Sequence, residues 1–234
     1  MQAVPYRCAI YFAPDPSSPW GQAGSQWLGR CAATQQRLPL PSIQGLAHDV
    51  QTALTDDPRR YGWHATLKAP FVLAPGQNIH TVLAAMQRLA SEFSAFELPT
   101  LEVDRGGHFL ALRPQGECAP LLAVAAACVT RLHPLALPLG ESELARRRRA
   151  LLTPEQDALL CQWGYPWVLD HFHFHFSLTN TLEGVDPSVR VTLAEAAKAH
   201  FASLGPCRFD RLALFVEPEK GADFQLADFV SLQP

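Results

Sequence analysis

Hydrophobic and polar positions along this chain follow two periods, and the switches between them mark its elements. An apolar run, Cys8–Ala13, sits behind a single arginine, Arg7, and reads as a strand. From Pro14 to Arg60 the pattern breaks up among Pro, Gly and Ser, leaving short helical pieces over Gln22–Ala33 and Leu46–Leu54; this stretch is expected to wrap the surface. From His64 to Lys68 polar and small apolar residues alternate, which is the period of a half-buried strand. Ile79, Val82, Leu83, Met86, Leu89, Ala90 and Phe93 then recur on one helical face. Two strand-like pieces follow, Thr100–Asp104 and His108–Arg113, joined through Arg105-Gly106-Gly107 as a hairpin turn.

The same order returns later in the chain. His175–Thr179 alternates again, and Asp186-Pro187 supplies an N-cap and a first-turn proline for a helix whose buried face is Val189, Leu193, Ala197, Phe201 and Leu204. Arg208–Glu217 and a last strand around Phe224–Leu232 flank the turn Pro218–Gly221. Both halves therefore read strand, helix, strand, strand. A first repeat is placed at about 61–115 and a second at about 169–234. The intervening 116–168 reads as a helical insertion, with an Ala/Leu/Val-rich helix over Leu121–Leu132 and another opened by Thr153-Pro154-Glu155-Gln156.

Composition narrows the class. At 234 residues the chain can bury a full core, and 48% apolar with 18% charged residues excludes disordered and fibrous classes. A net charge of −3 gives no electrostatic footprint for a long nucleic acid, whereas a small anion needs only a local positive site. The opening apolar run is too short for a signal-peptide core or a membrane helix, so a cytoplasmic protein is expected. The six cysteines, Cys8, Cys31, Cys118, Cys128, Cys161 and Cys207, show no C-x-x-C spacing and read as free thiols.

The repeat carries chemistry. Residues two apart on a strand share a face, so His64, Thr66 and Lys68 face one way while Ala65, Leu67 and Ala69 face the core. In the second copy His175, Ser177 and Thr179 oppose Phe174, Phe176 and Leu178. A pseudo-twofold arrangement of these strands would set two imidazoles and two hydroxyls around one cleft. A neutral histidine there takes a proton from the attacking oxygen, its protonated partner gives one to the leaving oxygen, and the hydroxyls hold the non-bridging oxygens of a phosphate. Tyr11 on the first strand, with Tyr61 and Trp63 beside the first motif, offers stacking against a base or sugar or else packs the core.

The paired H-x-T/S motifs, His64/Thr66 and His175/Ser177, resemble the two signatures of the 2H phosphoesterase superfamily, which includes RNA 2′,3′-cyclic phosphodiesterases and 2′,5′ RNA ligase-like proteins. Arg7–Pro14, Arg59–Phe71, Trp163–Pro166 and the final H-F-S-L-T are similar to a branch of that superfamily associated with phosphonate-utilisation operons. The resemblance implies a bilobal α/β (α+β) fold with two antiparallel sheets, each with helices, and an active cleft between the lobes. It implies catalysis by His64 and His175 without metal or other cofactor, and a small phosphorylated sugar as substrate, such as a phosphoribosyl cyclic phosphate.

Other readings stay open at this point. His171, His173 and His175 on one strand face would suit a zinc-dependent hydrolase. A module that holds a phosphorylated metabolite or an RNA end without turning it over is a third. Arg146–Arg149 step around a helix and read as a solvated face from which one or two side chains at most reach a common ligand. No Gly-rich phosphate loop, dinucleotide fingerprint or G-x-S-x-G elbow occurs. The expected partner is a small phosphorylated substrate, with no long nucleic acid and no membrane, and because the two repeats supply each other's partner surface a monomer is favoured.

Overall fold

The apolar run after Arg7 becomes β1 (Arg7–Phe12), an interior strand of the main sheet. Its alternate side chains divide between two cores, which is why the run is apolar at both parities. Cys8, Ile10 and Phe12 enter the large core, while Ala9, Tyr11 and Ala13 join a small cluster with Ala32, Ala213, Phe215 and Phe224 on the opposite face. The computed structural model describes residues 4–234, and within them the fold is mixed α/β with two antiparallel sheets and eight α-helices.

The remaining strands are β2 (Ala65–Phe71), β3 (Phe96–Glu97), β4 (Leu101–Asp104), β5 (Ala111–Pro114), β6 (Phe176–Ser177), β7 (Arg208–Phe209), β8 (Arg211–Glu217) and β9 (Gln225–Ser231). Six of them join β1 in one seven-stranded sheet in the order β4-β5-β6-β2-β1-β8-β9, and β3 pairs with β7 as a separate ribbon. The two halves do not keep their strands to themselves. The β4–β5 hairpin of the first repeat lies beside β6 of the second, and the β8–β9 hairpin of the second lies beside β1, on the side away from β6 and across β1 from β2. A strand pattern announces that an edge must be paired, and nothing in it names the partner. The two half-sheets meet at β2 and β6 through a single pair, Ala65↔Phe176.

The helices are α1 (Pro19–Leu28), α2 (His48–Leu54), α3 (Asp56–Tyr61), α4 (Ile79–Ala90), α5 (Ala119–Arg131), α6 (Glu141–Arg147), α7 (Pro154–Trp163) and α8 (Pro187–Phe201). Local chemistry sets their ends. Asn78 and Thr81 form a reciprocal cap on α4, Thr153 and Gln156 do the same for α7, and Asp186 with Pro187 opens α8. Gly29, at φ 71°, stops α1 five residues short of the expected Ala33. The exchange extends to packing: α4 lies across β8 and β9, α8 against β4, and α5 against β2.

Two expectations change here. The stretch 14–60 does more than wrap the surface, since Trp27, Leu28, Arg30 and Arg59 are buried and Trp27 donates its indole N–H to the Leu178 carbonyl at 2.9 Å. The alternating 171–175 is not a strand. A 3₁₀ turn over Leu169–His171 opens at Leu169 with φ 54°, and regular pairing begins only at Phe176. His171, His173 and His175 therefore do not line one strand face.

Candidate active site

The turn into the first motif is fixed from behind. Helix α3 ends at Gly62, whose φ of 79° and ψ of 176° lie where essentially only glycine is at ease. A Cβ there would also stand 2.6 Å from the Ala32 Cβ. The next residue, Trp63, is buried with its ring 4.6 Å from Phe176 and 5.4 Å from Phe201, centroid to centroid, under the close-packed Gly24 of α1. With Trp63 anchored in the large core, strand parity sends His64 to the other face.

His64 is held in one orientation. Its Nδ1–H donates to the Gly62 carbonyl at 2.8 Å, its Nε2 lies 3.2 Å from Thr66 Oγ1, and the Tyr11 ring stacks on it at 3.8 Å. A carbonyl can only accept, so the neutral ring carries its proton on Nδ1 and presents a bare Nε2. Burial pushes the His64 pKa down to about 4, with the Gly62 bond opposing and nearby His175 adding to the fall.

His175 repeats this arrangement. Its Nδ1–H donates to the His173 carbonyl at 2.8 Å, and its ring packs 5.4 Å from Phe109. Burial lowers its pKa below the ordinary imidazole value, opposed by the His173 bond and reinforced by Arg113 and His173. The antiparallel pair Ala65↔Phe176 relates the motifs, because continuing its register sets His64 opposite Ser177 and Thr66 opposite His175. By that register the histidine position of each motif lies across the seam from the hydroxyl position of the other.

These four side chains line a cleft of about 390 Å³ together with Tyr11, Tyr61, Tyr165, Arg7, Arg146 and Arg147. Ser177 is half-buried, and its hydroxyl makes no hydrogen bond among the described residues. Tyr11 is buried against His64, and burial raises its phenol pKa, so it serves the site as a neutral platform. Thr179 reaches the cleft wall, but its hydroxyl accepts from Leu110 N–H at 3.0 Å and donates to the Asn180 carbonyl at 2.9 Å, which leaves it a structural pin.

Lys68 departs from the expected face. Between Ile10↔Lys68 and Tyr11↔Thr66 the β1–β2 register slips by one residue, a bulge that reverses side-chain parity. Ala69 and Pro70 consequently line the cleft, while Lys68 turns into a separate, smaller cavity against α5, with its ammonium 5.3 Å from the Phe71 ring centroid. Burial pulls its pKa to about 8, and the neighbouring Cys128 thiol, pushed up to about 12 by the same burial, provides no counter-charge near neutral pH.

The Arg146–Arg149 run reads from sequence as a solvated face with one or two side chains at most reaching a common ligand, and other cleft residues had no such signal. Arg146 and Arg147 reach the cleft while Arg148 turns away to pair with Asp157, so two of the run face a common space. The signal was Glu143, three and four residues earlier, which holds both. Tyr165 belongs to the W-G-Y-P segment, and Arg7 precedes β1, yet neither carries a local pattern that announces a cleft. Asn180 ties the cleft floor to α3, accepting from Asp57 N–H at 2.9 Å. His171 is half-buried and His173 exposed, and among the described residues no group of three or more His, Cys, Asp or Glu is placed to hold a metal ion. No helix of the described residues is long and apolar enough to cross a membrane.

A mixed α/β fold with two matched imidazole–hydroxyl pairs at one strand seam defines the class of site. The chain belongs to the family described as "Protein of unknown function (DUF1045)", whose model matches residues 66–225. It is 41% identical over 221 residues to a protein of Janthinobacterium sp. (strain Marseille) named ribose 1,5-bisphosphate phosphokinase PhnN, covering 93% of this chain and 49% of that protein. A protein of the same name from Laribacter hongkongensis (strain HLHK9) is 40% identical over 226 residues, covering 97% of this chain and 52% of its own length. The chain thus spans about half the length of the curated relatives it matches. Among solved structures it is similar to one described as a phosphoesterase, at 11% identity and a TM-score of 0.44 over 98% of this chain and 99% of that one. It is also similar to E. coli LigT complexed with 3′-AMP, at 12% identity and a TM-score of 0.43 over 98% and 99% of the two chains.

Proposed function

We propose that this chain is a metal-independent phosphoesterase of the 2H type, hydrolysing a cyclic phosphate or phosphodiester of a small sugar or nucleotide. The observation that carries the reading is the pairing across the Ala65–Phe176 seam, where both imidazoles spend Nδ1–H on a backbone carbonyl and leave Nε2 for chemistry.

In this mechanism the bare Nε2 of His64, the ring with the strongly depressed pKa, takes a proton from water as its oxygen attacks phosphorus. His175, protonated when the anion binds beside it, gives its Nε2 proton to the departing alkoxide as the ester P–O bond breaks. The product is a phosphate monoester and a free hydroxyl, and the two rings exchange protons with solvent to reset. Thr66 and Ser177 donate hydrogen bonds to the non-bridging oxygens, where charge builds up. In the resting site Thr66 Oγ1 rests on His64 Nε2 and turns to the phosphate when substrate arrives.

The relatives' name brings ribose phosphates into consideration. This chain has no G-x-x-x-x-G-K-S/T loop to cradle a nucleotide, so we assign phosphokinase chemistry to the part of those relatives that it does not match. Opening a 1,2-cyclic phosphate on a 5-phosphoribose yields a ribose bisphosphate, the class of compound their name contains. A phosphoribosyl cyclic phosphate is therefore the leading candidate substrate. The test is a substrate panel of phosphoribosyl 1,2-cyclic phosphate, 2′,3′-cyclic nucleotides and linear diesters, followed by phosphorus NMR with EDTA present. Turnover of a cyclic phosphate or diester is expected; binding without turnover of any member would mark a non-catalytic module.

A further inference from the structure

Three guanidiniums of the cleft lining, those of Arg7, Arg146 and Arg147, share two carboxylates with one another and with Arg60. Arg146 bonds Glu143 through Nε and Nη2 at 2.8 and 2.6 Å, and Arg147 bonds the same carboxylate through Nε at 2.9 Å. Buried Glu217 is likewise shared by Arg7 and Arg60. Each carboxylate balances one cation of its pair, so two positive charges stand uncompensated behind the cleft lining. The one carboxylate in that lining, Asp57, is exposed at the start of α3 and is screened by solvent.

These arginines also retain unused donors. Among the described residues Arg146 Nη1, Arg147 Nη2 and both Nη atoms of Arg7 donate to no protein acceptor, although Arg147 gives Nη1 to the Gly164 carbonyl at 2.6 Å. The Arg7 and Arg147 side chains are each only 17% exposed, so most of their surface is withdrawn from water. Arg146 is more open, at 55% exposed, and the unused N–H groups of all three side chains are available to an acceptor in the cleft that they line. Arg7 and Arg146 come from distant parts of the chain, yet both lie within Coulombic reach of Tyr61, whose ring centroid is 6.2 Å from that of His64.

We infer that Arg7, Arg146 and Arg147 form a second anion subsite, which takes a terminal phosphoryl group on the substrate while the phosphate that reacts sits between His64 and His175. This rests on the catalytic reading above and narrows it to substrates with two phosphoryl groups, one at each end of a single sugar unit. A tetrahedral dianion offers three acceptor oxygens to several guanidinium N–H groups, a match that a neutral sugar lacks. Tyr61 lies near both the arginines and His64 in the same cleft, and in this proposal one sugar unit joins the two phosphoryl positions.

The test compares kcat/KM for phosphoribosyl 1,2-cyclic phosphate with that for ribose 1,2-cyclic phosphate, in the parent and in an Arg146→Gln/Arg147→Gln variant. The parent is expected to favour the phosphorylated substrate by about 10- to 100-fold, the range for hydrogen bonds to charged groups, and the variant to lose most of that preference through KM. Equal use of both substrates by the parent overturns the subsite and leaves the catalytic reading standing. If neither is turned over, calorimetric binding of ribose 5-phosphate against ribose decides the matter alone: phosphate-dependent binding that the variant loses supports the subsite, and its absence, or its survival in the variant, overturns it. Inorganic phosphate binding as tightly as ribose 5-phosphate would point to a free-anion site and count against the substrate assignment. Should the double variant fail to fold, Arg146→Gln alone, on the exposed helix α6, carries the same comparison.

Discussion

His64 and His175 make the same hydrogen bond: each donates Nδ1–H to the carbonyl two residues earlier, Gly62 and His173, at 2.8 Å in both motifs. The match fixes one tautomer in both rings and has a consequence for pH. In the proposed mechanism the competent free enzyme has His64 neutral and His175 protonated. His64 titrates at about 4 and His175 below the ordinary imidazole value of 6.5, both because burial disfavours the cation. The kcat/KM profile should therefore peak below pH 6.5 and fall as pH rises through neutrality, while kcat, measured with the anion bound, peaks at higher pH. A kcat/KM that climbs steadily to pH 9 would contradict this.

The same shifts bear on stability. Both folded-state values lie below the unfolded one, so the unfolded chain binds more protons as pH falls, and the stability contributed by neutral rings is fully present above pH 6.5 and lost progressively toward pH 4. The melting temperature should drop over that window, and His64→Gln should flatten the drop. Thermal melts at half-unit pH steps check it; identical slopes in parent and variant would count against a buried, neutral His64.

Gly62 does two jobs at once. Its backbone occupies a region nearly closed to other residues, and its carbonyl orients His64. Gly62→Ala should cost on the order of 1–3 kcal/mol from strain alone, plus the clash with Ala32. It should also lower kcat at temperatures where the variant remains folded, as seen by circular dichroism beside steady-state kinetics.

Thr66 and Ser177 sit opposite the partner motif's histidine, so each hydroxyl is expected to act on the phosphate in the transition state. Thr66→Ala or Ser177→Ala should reduce kcat by about 100- to 1,000-fold with a smaller change in KM. Thr66→Ser and Ser177→Thr should retain most activity, because only the hydroxyl is required. Loss in KM alone would reassign them to ground-state binding.

Lys68 provides a control on the bulge. Its charge is buried without a carboxylate partner, and replacing such a group by an apolar one of similar shape is commonly neutral or stabilising. Lys68→Met is expected to raise the melting temperature or leave it unchanged and to keep catalytic rates near the parent's. A hundredfold loss in kcat would return Lys68 to the cleft.

Much of the fold and site is legible in the sequence alone. Period-two alternation put Thr66 and Ser177 on polar strand faces, with His64 and His175 falling just ahead of β2 and β6, and caps at Thr153 and Asp186 marked helix starts where they lie. What the sequence hid is non-local. Hairpin exchange depends on which edges meet, the Lys68 reversal on a one-residue slip against β1, and the arginine cluster on Glu143 and Glu217 collecting cations from separate segments. The phenylalanines at 172, 174 and 176 imitate a strand that the φ of 54° at Leu169 and the turn after it cut short.

The proposed catalysis requires both imidazoles to act together at one phosphorus. The most direct measurement is single-turnover hydrolysis of phosphoribosyl 1,2-cyclic phosphate, with EDTA present, by the parent, His64→Gln, His175→Gln and the double variant. Each single substitution should slow the reaction by about 100- to 10,000-fold, with the double variant little slower than the worse single. A single variant that keeps the parent rate, or a parent whose activity vanishes with EDTA, would contradict it.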